Sequence, residues 1–270
     1  MHFMPTRVLD KVWAYFDAAG PLVGGPWPLH YRTGEQDRLE RLRRLGVRVF
    51  PSLVYAHRPG MSAWLNDWAA GFAAEQPDVL HTATFFPEPD APGYVSRALA
   101  DGARIFKAHL QVGAYDPRHP LLDDVWAMLA DSGVPVVTHC GGGPVAGPFT
   151  GPGPIGEVLE RHPSLVLVVA HMGMPEYAEF LDLAERHDRV HLDTTMAFTD
   201  FTAERMPWPV SLTARLVDLA DRIVLGSDFP NTPYPYAHQL EVLARLGLGA
   251  PWLRGVLHDN GARLLGLPAR

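Results

Sequence analysis

The sequence contains very little cysteine and no excess of basic residues. Cys140 is the single cysteine among 270 residues, which excludes an internal disulfide framework and is compatible with a reducing compartment. The formal net charge is −7, so the chain lacks the positive field by which proteins attract nucleic acids. We therefore expect a small-molecule substrate and no nucleic-acid partner.

The first residues also lack the marks of a targeting or membrane segment. The stretch MHFMPTRVLD has neither a basic region followed by an apolar one nor the length needed to span a bilayer. We predict a cytoplasmic protein without a membrane partner. Hydrophobic residues make up 47% of the chain, enough for one large core, and 270 residues suit a single α/β barrel domain over residues 1–270.

Three apolar runs end in a residue that can bind a metal ion. The runs VPVVTH, LVLVVAH and RIVLGSD end in His139, His171 and Asp228. Unbroken apolar positions are typical of parallel strands that are covered on both faces. In a parallel barrel the active site lies at the carboxyl ends of the strands, and imidazole with carboxylate is a ligand set for zinc, iron or manganese. We predict that these three side chains converge on one metal site.

Strand-like stretches alternate with amphipathic helical segments along the chain. Seven such strands are predicted, and helical spacing predicts helices that include residues 7–18, 61–75 and 210–220. This alternation favours an α/β barrel over an open doubly wound sheet. A barrel needs eight strands, and the missing first strand would lie just before His2.

Several residues near the predicted strand ends have more than one interpretation. Lys107 in IFKAH is a surface lysine, an anchor for a substrate carboxylate, or a carbamylated lysine between two metal ions. His109 in the same stretch is a further candidate for the mouth of the site. Cys140 directly follows His139, but successive strand residues point to opposite sides, so packing is favoured over a nucleophilic role. Asp193 either polarises a ligand or caps a loop.

Two loops rich in glycine, proline and aromatic residues are predicted to cover the site. They are LVGGPWPLHYRTG, after the first helix, and MAFTDFTAERMPWP, after the seventh recognised strand. Loops of this kind can carry residues that touch a ligand. The predicted substrate-binding residues are Trp27, Tyr31, Arg32, Lys107 and Trp208, with Arg58 and Arg205 as further partners for a carboxylate.

The motifs THCG, AHMG and GSDFP, in this order and spacing, resemble the amidohydrolase-related family, which includes aminocarboxymuconate-semialdehyde decarboxylase. The resemblance extends from His2 to NGARLLGL near the carboxyl end. It implies a distorted (β/α)₈ barrel with one divalent ion, usually zinc, with manganese or iron as alternatives. It also implies that His2, His139 and Asp228 bind the ion. His171 would position the metal-bound water or act as a further ligand.

The sequence departs from the family pattern at its start. The family has an amino-terminal H-x-H motif, and Met1 stands at the x, so the first histidine and the first strand are absent from the sequence as written. We therefore expect His2 on an unanchored terminus, a gap between the second and eighth strands, and weakened metal binding. Restoring the histidine within a short apolar strand is expected to raise the bound metal and the activity.

Together these features predict a metal-dependent hydrolase that acts on a small carbonyl or carboxylate-bearing substrate. Asp228 would accept a proton from the attacking water, and His171 would orient that water or steady the developing oxyanion. A non-oxidative decarboxylase would use the same ligands, whereas a metal-free binding protein would keep only the barrel. The sequence leaves the oligomeric state open, and a homodimer is one possibility.

Overall fold

The computed structural model describes residues 1–268 and contains parallel strands connected through helices. The strands in this range are β1 (Phe50–Pro51), β2 (Val79–Leu80), β3 (Thr82–Thr84), β4 (Ile105–His109), β5 (Val136–His139), β6 (Leu167–Val169), β7 (Val190–Asp193) and β8 (Ile223–Val224). Every recorded strand pair is parallel, as expected where helices form the crossovers.

The order of the strands in space follows their order along the chain. Within residues 1–268, strands β3 to β8 form one six-stranded sheet in sequence order, and β1 pairs with β2. This arrangement is the α/β barrel predicted from the sequence. Regular strand pairing between described residues is interrupted at two places, between β2 and β3 and between β8 and β1.

Helices follow most of the strands and carry the apolar stripes that the sequence predicts. They are α1 (Thr6–Ala18), α2 (Gly20–Val23), α3 (Glu35–Arg44), α4 (Ser62–Glu75), α5 (Ala91–Ala100), α6 (Leu110–Gly113), α7 (Asp123–Ser132), α8 (Pro152–Arg161), α9 (Tyr177–Arg186), α10 (Asp200–Ala203), α11 (Arg215–Asp218), α12 (Tyr236–Arg245), α13 (Ala250–Arg254) and α14 (Asn260–Leu264). No helix in the described part of the chain is long and apolar enough to cross a membrane.

The helix predicted over residues 210–220 is broken into short pieces. A 3₁₀ turn over Val210–Leu212, the four-residue α11 and a second 3₁₀ turn over Ala220–Arg222 replace it. The apolar spacing was misleading because Val210 is 83% exposed and Val217 is 55% exposed. Without a continuous buried stripe, tertiary packing does not support one long helix here.

Residues 1–3 occupy the position between β8 and β1. The backbone N–H of His2 donates to the carbonyl oxygen of Phe229 (2.7 Å), and the N–H of Leu53 donates to the carbonyl oxygen of Met1 (2.8 Å). These bonds join the two edges, although no regular strand is assigned over residues 1–5 of the described chain. The expectations of a gap and of an unanchored His2 were therefore wrong, since His2 is buried and held from both sides.

An aromatic cluster around Phe3 explains why this segment is held. The Phe3 side chain is fully buried, and its ring centroid lies 5.4 Å from those of Phe50 and Phe72 and 6.2 Å from that of Phe229. The hydroxyl of Ser52 also donates to the carbonyl oxygen of Phe3 (2.9 Å). Burial of one aromatic side chain thus anchors the residue that precedes it.

We expect Phe3→Ala to lower the free energy of unfolding by about 3–5 kcal/mol, because it removes a fully buried ring and leaves a cavity. Urea denaturation measures the loss. The matched control is Tyr15→Ala, since Tyr15 is 49% exposed on α1. Equal losses in the two variants would contradict the anchoring role of Phe3.

Candidate active site

A single large cavity collects most of the residues that the strand-end pattern singled out. Its volume is about 800 Å³, and its wall includes His2, Lys107, His139, His171 and Asp228. These side chains come from the amino-terminal segment, from β4 and β5, and from the segments that directly follow β6 and β8. The three strand-end residues of the sequence pattern therefore face the same space, at the carboxyl ends of the strands.

His2 and Asp228 form the closest polar contact of this site. The Nδ1 of His2 donates to the carbonyl oxygen of Leu53 (2.7 Å), so this nitrogen carries a proton. The Nε2 of His2 lies 2.9 Å from Oδ1 of Asp228. With Nδ1 protonated, a neutral His2 ring faces the carboxylate with a lone pair. A proton or a cation must then lie between the two atoms.

Burial and mutual attraction act in opposite directions on this pair. Burial lowers the pKa of His2, and the carboxylate of Asp228 only partly opposes that shift. Burial would raise the pKa of Asp228, but the hydrogen bond and charge of His2 hold it well below its ordinary value. The carboxylate of Asp228 is therefore kept ionised by a positive charge at or near His2. A metal cation would satisfy both atoms.

His171 is aimed into the cavity by an unusual backbone conformation. Its φ is +57°, in the left-handed region that non-glycine residues rarely adopt. Oδ1 of Asp193 accepts the backbone N–H of His171 (2.9 Å) and that of Thr195 (3.0 Å). Asp193 is therefore a cap that fixes the strained segment. The Nδ1 of His171 is buried without a hydrogen-bond partner among residues 1–268.

His139 lies between two other imidazole rings. Its ring centroid is 4.8 Å from that of His171 and 4.2 Å from that of His109, with which it stacks at an interplanar angle of 10°. Nε2 of His139 donates to the carbonyl oxygen of Gly143 (2.8 Å), which leaves Nδ1 with a free lone pair. Burial, reinforced by neighbouring imidazoles and Lys107, lowers the pKa of His139 and His109 well below the ordinary value.

The structure excludes one predicted interpretation of Lys107 and one of Cys140. Lys107 is only 3% exposed, which excludes the surface interpretation, and burial lowers the pKa of its amine against the attraction of Asp193 and Asp228. Cys140 is fully buried, and its Sγ donates to the carbonyl oxygen of Thr138 (3.6 Å). Burial raises the pKa of this thiol well above its ordinary value, so Cys140 is a packing residue.

The covering loops contribute fewer substrate contacts than predicted. Trp27 lines the cavity, and its indole N–H donates to the carbonyl oxygen of Asn231 (2.9 Å), which fixes the ring. Arg58 and Arg205 also lie on the wall. Arg205 stacks over the ring of Phe201 and donates to the carbonyl oxygens of Phe201 and Gly24, so both covering loops set its position.

Three predicted substrate contacts lie outside this wall and are corrected. Arg32 pairs with Asp17 at the surface (2.7 Å). Tyr31 is buried in the aromatic cluster of Phe3, and its hydroxyl accepts the backbone N–H of Tyr236 (2.6 Å). Trp208 packs against neighbouring aromatic rings instead of the cavity. Loop composition does not specify which side of a loop an aromatic residue faces, so the pattern could not separate these residues from Trp27.

One face of α1 forms a part of the wall that the sequence pattern did not identify. Arg7 and Lys11 line the cavity with Val8 and Val12. Arg7 and Lys11 are four residues apart and therefore lie one turn apart on the same helix face. This spacing is the sequence signal that could have identified them. Together with Arg58, Arg205 and Lys107 they surround the cavity with cationic side chains, although the whole chain carries a net charge of −7.

The donor set fits a divalent metal ion in its chemistry. An imidazole nitrogen of His139 with a free lone pair, the carboxylate of Asp228 and a His2 ring fixed by a carbonyl oxygen are groups that zinc or manganese sites use. As the side chains stand, no three His, Cys, Asp or Glu residues between positions 1 and 268 are placed to hold one ion.

The sequence model of the amidohydrolase family matches residues 1–267. The chain belongs to the amidohydrolase family. This confirms the resemblance carried by the THCG, AHMG and GSDFP motifs. A search of curated protein sequences found no match.

Solved structures share the barrel. An uncharacterized TIM-barrel protein of Bordetella bronchiseptica is 23% identical, with a TM-score of 0.76, over 98% of this chain and 94% of its own. A probable 2-pyrone-4,6-dicarboxylic acid hydrolase of Acinetobacter baumannii, with citric acid bound, is 13% identical over 88% and 93%, with a TM-score of 0.65. A 5-carboxyvanillate decarboxylase of Novosphingobium aromaticivorans, complexed with manganese, is 15% identical over 98% and 94%, with a TM-score of 0.58. At these identities the likeness shows the fold.

We expect Gly226→Ala to disturb the site through Asp193. An added Cβ would overlap the hydroxyl of Thr195 and lie 2.5 Å from Oδ1 of Asp193, the cap that holds His171. The free energy of unfolding should fall by about 1–3 kcal/mol from overpacking. Zinc affinity should fall by about 10- to 100-fold, because a positioning contact of the site is displaced.

Urea denaturation and zinc titration measure these two effects. Gly71→Ala is the matched control, because nothing lies within 4 Å of the Cβ that it adds to α4. It should stabilise the chain by about 0.5–1 kcal/mol, as expected for Gly→Ala within a helix. If Gly226→Ala behaves like this control, the close packing around Asp193 is not needed for the site.

Proposed function

We propose that this chain is a hydrolase that depends on a divalent metal ion and acts on a small substrate with a carbonyl group and a carboxylate. The observation that supports it most is the meeting of His2, His139, His171 and Asp228 on one cavity wall, beside the buried amine of Lys107. Membership of the amidohydrolase family agrees with this reaction class.

His2, His139 and Asp228 are the proposed ligands, and zinc is the preferred ion, with manganese or iron as alternatives. The bond from His2 to the carbonyl oxygen of Leu53 leaves Nε2 for the ion, in the way that ligating histidines are usually oriented. When bound, such an ion polarises a carbonyl group and lowers the pKa of water to about 7. This set leaves His171 free for a second role.

The remaining chemistry is assigned to the chain's own groups. The carboxylate of Asp228 accepts the proton of the attacking water and returns it to the leaving group as the bond to the carbonyl carbon breaks. His171, whose Nδ1 has no hydrogen-bond partner in the described residues, orients the water or steadies the negative charge at the carbonyl oxygen. The amine of Lys107 pairs with the substrate carboxylate, and Trp27 walls off bulk water.

A decarboxylase on the same site is the second candidate. Met4, Val8, Val12, Trp64 and Leu65 form an apolar part of the cavity wall. A substrate carboxylate held against these side chains loses hydration, which favours its departure as neutral carbon dioxide while a proton is added at the carbon it leaves. The structural neighbours named as a dicarboxylic acid hydrolase and a carboxyvanillate decarboxylase lend support to both candidates.

The test begins with metal content and reaction products. The purified chain is loaded with zinc or manganese and incubated with a set of carboxylate-bearing lactones and aromatic acids. Products are followed by mass spectrometry, and released carbon dioxide is measured separately. Hydrolysis adds the mass of water without releasing carbon dioxide, whereas decarboxylation does the reverse. Ligand binding that is unaffected by a chelator, without turnover, would indicate a metal-free binding protein instead.

We expect Asp228→Asn to lower turnover by about 10² or more, because the amide keeps the shape but loses the charge and the basicity of the carboxylate. Metal content per chain, measured by mass spectrometry of the dialysed protein, should fall as well. Asp17→Asn is the control, since Asp17 pairs with Arg32 at the surface. Activity of Asp228→Asn within a few-fold of the parent would rule out the proposed role.

A further inference from the structure

His109 lies among the proposed site residues but has no part in the reaction described so far. It is the last residue of β4 and stands in register with His139 of β5. The two rings are stacked, and the ring of Tyr55 lies 5.0 Å from that of His109. Its side chain forms part of the cavity wall. The orientation of this imidazole is therefore fixed by the packing of two neighbouring rings.

The hydrogen bonding of His109 defines which ring nitrogen carries its proton. The backbone N–H of Val112 donates to Nδ1 (3.3 Å), so Nδ1 presents a lone pair and the proton lies on Nε2. Nε2 has no hydrogen-bond acceptor among residues 1–268. This atom is not fully enclosed by the described residues. The ring thus offers one N–H donor that is open to the cavity.

Within residues 1–268, no carboxylate accepts a hydrogen bond from this donor. The rings packed against His109 are those of Tyr55 and His139, and neither carries a carboxylate. A ligand with an anionic or strongly polarised oxygen would therefore provide the missing acceptor. Such an oxygen would also lie close to Lys107, which shares β4 with His109.

We propose that His109 donates its Nε2–H to the oxygen of the reacting carbonyl or carboxyl group of the substrate. This inference rests on the proposed function and adds a catalytic residue to it. A fixed donor at the place where negative charge develops stabilises the transition state without reorganisation. The substrate is accordingly one whose reacting oxygen can lie beside the carboxyl ends of both β4 and β5.

The tautomer and the contact are tested by ¹⁵N NMR of histidine-labelled protein, with oxalate as the probe anion. His119 is the internal control, because its Nδ1 also accepts a backbone N–H, from Leu121 (3.2 Å), but it does not line the cavity. Both rings should show the Nε2–H tautomer. Oxalate should shift the Nε2 signal of His109 and leave that of His119 unchanged. A protonated Nδ1 on His109, or no shift of its signal throughout the titration, overturns the proposal.

Two variants measure the strength of the contact. His109→Phe keeps a flat ring against His139 but removes the donor, so oxalate affinity should fall about tenfold, as for a lost hydrogen bond to an anion. His109→Gln retains an N–H donor, so its affinity should stay within about threefold of the parent. Equal affinities for the parent and His109→Phe would overturn the proposal.

The design separates this proposal from the proposed function. Urea denaturation of both variants shows whether they fold. If His109→Phe does not fold, the NMR titration of the labelled parent and the oxalate affinity of His109→Gln still test the proposal. Oxalate binding requires no turnover. A parent chain that binds oxalate through His109 but hydrolyses nothing would contradict the proposed reaction and leave the donor role of His109 in place.

Discussion

The anchoring of the amino-terminal segment between β8 and β1 is the constraint on which both the fold and the site depend. It places Nε2 of His2 at 2.9 Å from Oδ1 of Asp228, in the segment after the last strand. Backbone bonds from the same segment to Phe229 and Leu53 connect the two edges of the barrel. A change that withdraws His2 would therefore weaken the junction of the two edges and remove a proposed ligand at the same time.

Two residues of the cavity wall have a strained backbone. His171 and Asp228 have φ values of +57° and +53°, which cost free energy for residues with a Cβ. At His171 the carboxylate of Asp193 offsets part of this cost by accepting the backbone N–H. Part of the backbone strain of the chain thus lies at residues that the proposed reaction uses, as is common at functional sites.

The sequence predicted the strand ends well because burial and ligand chemistry coincide there. A run of apolar residues that stops at His139 or Asp228 predicts a covered strand and also a ligand-type side chain at the carboxyl end of that strand. Other features depend on three-dimensional context. The pattern could not show that Phe3 anchors the amino-terminal segment, because its partners come from distant parts of the chain. Nor could loop composition show that Tyr31 faces the core and Trp27 the cavity, since both occur among the same glycines and prolines.

The position of α1 has a thermodynamic consequence. The helix begins at Thr6, only four residues after His2, and it presents Arg7 and Lys11 to the cavity. A substrate that binds these cations restrains the helix, and through it the segment that carries a proposed ligand. By reciprocity of linked equilibria, the substrate would strengthen ion binding by the same factor by which the ion strengthens substrate binding. Affinities measured for either one alone would then underestimate those of the ternary complex.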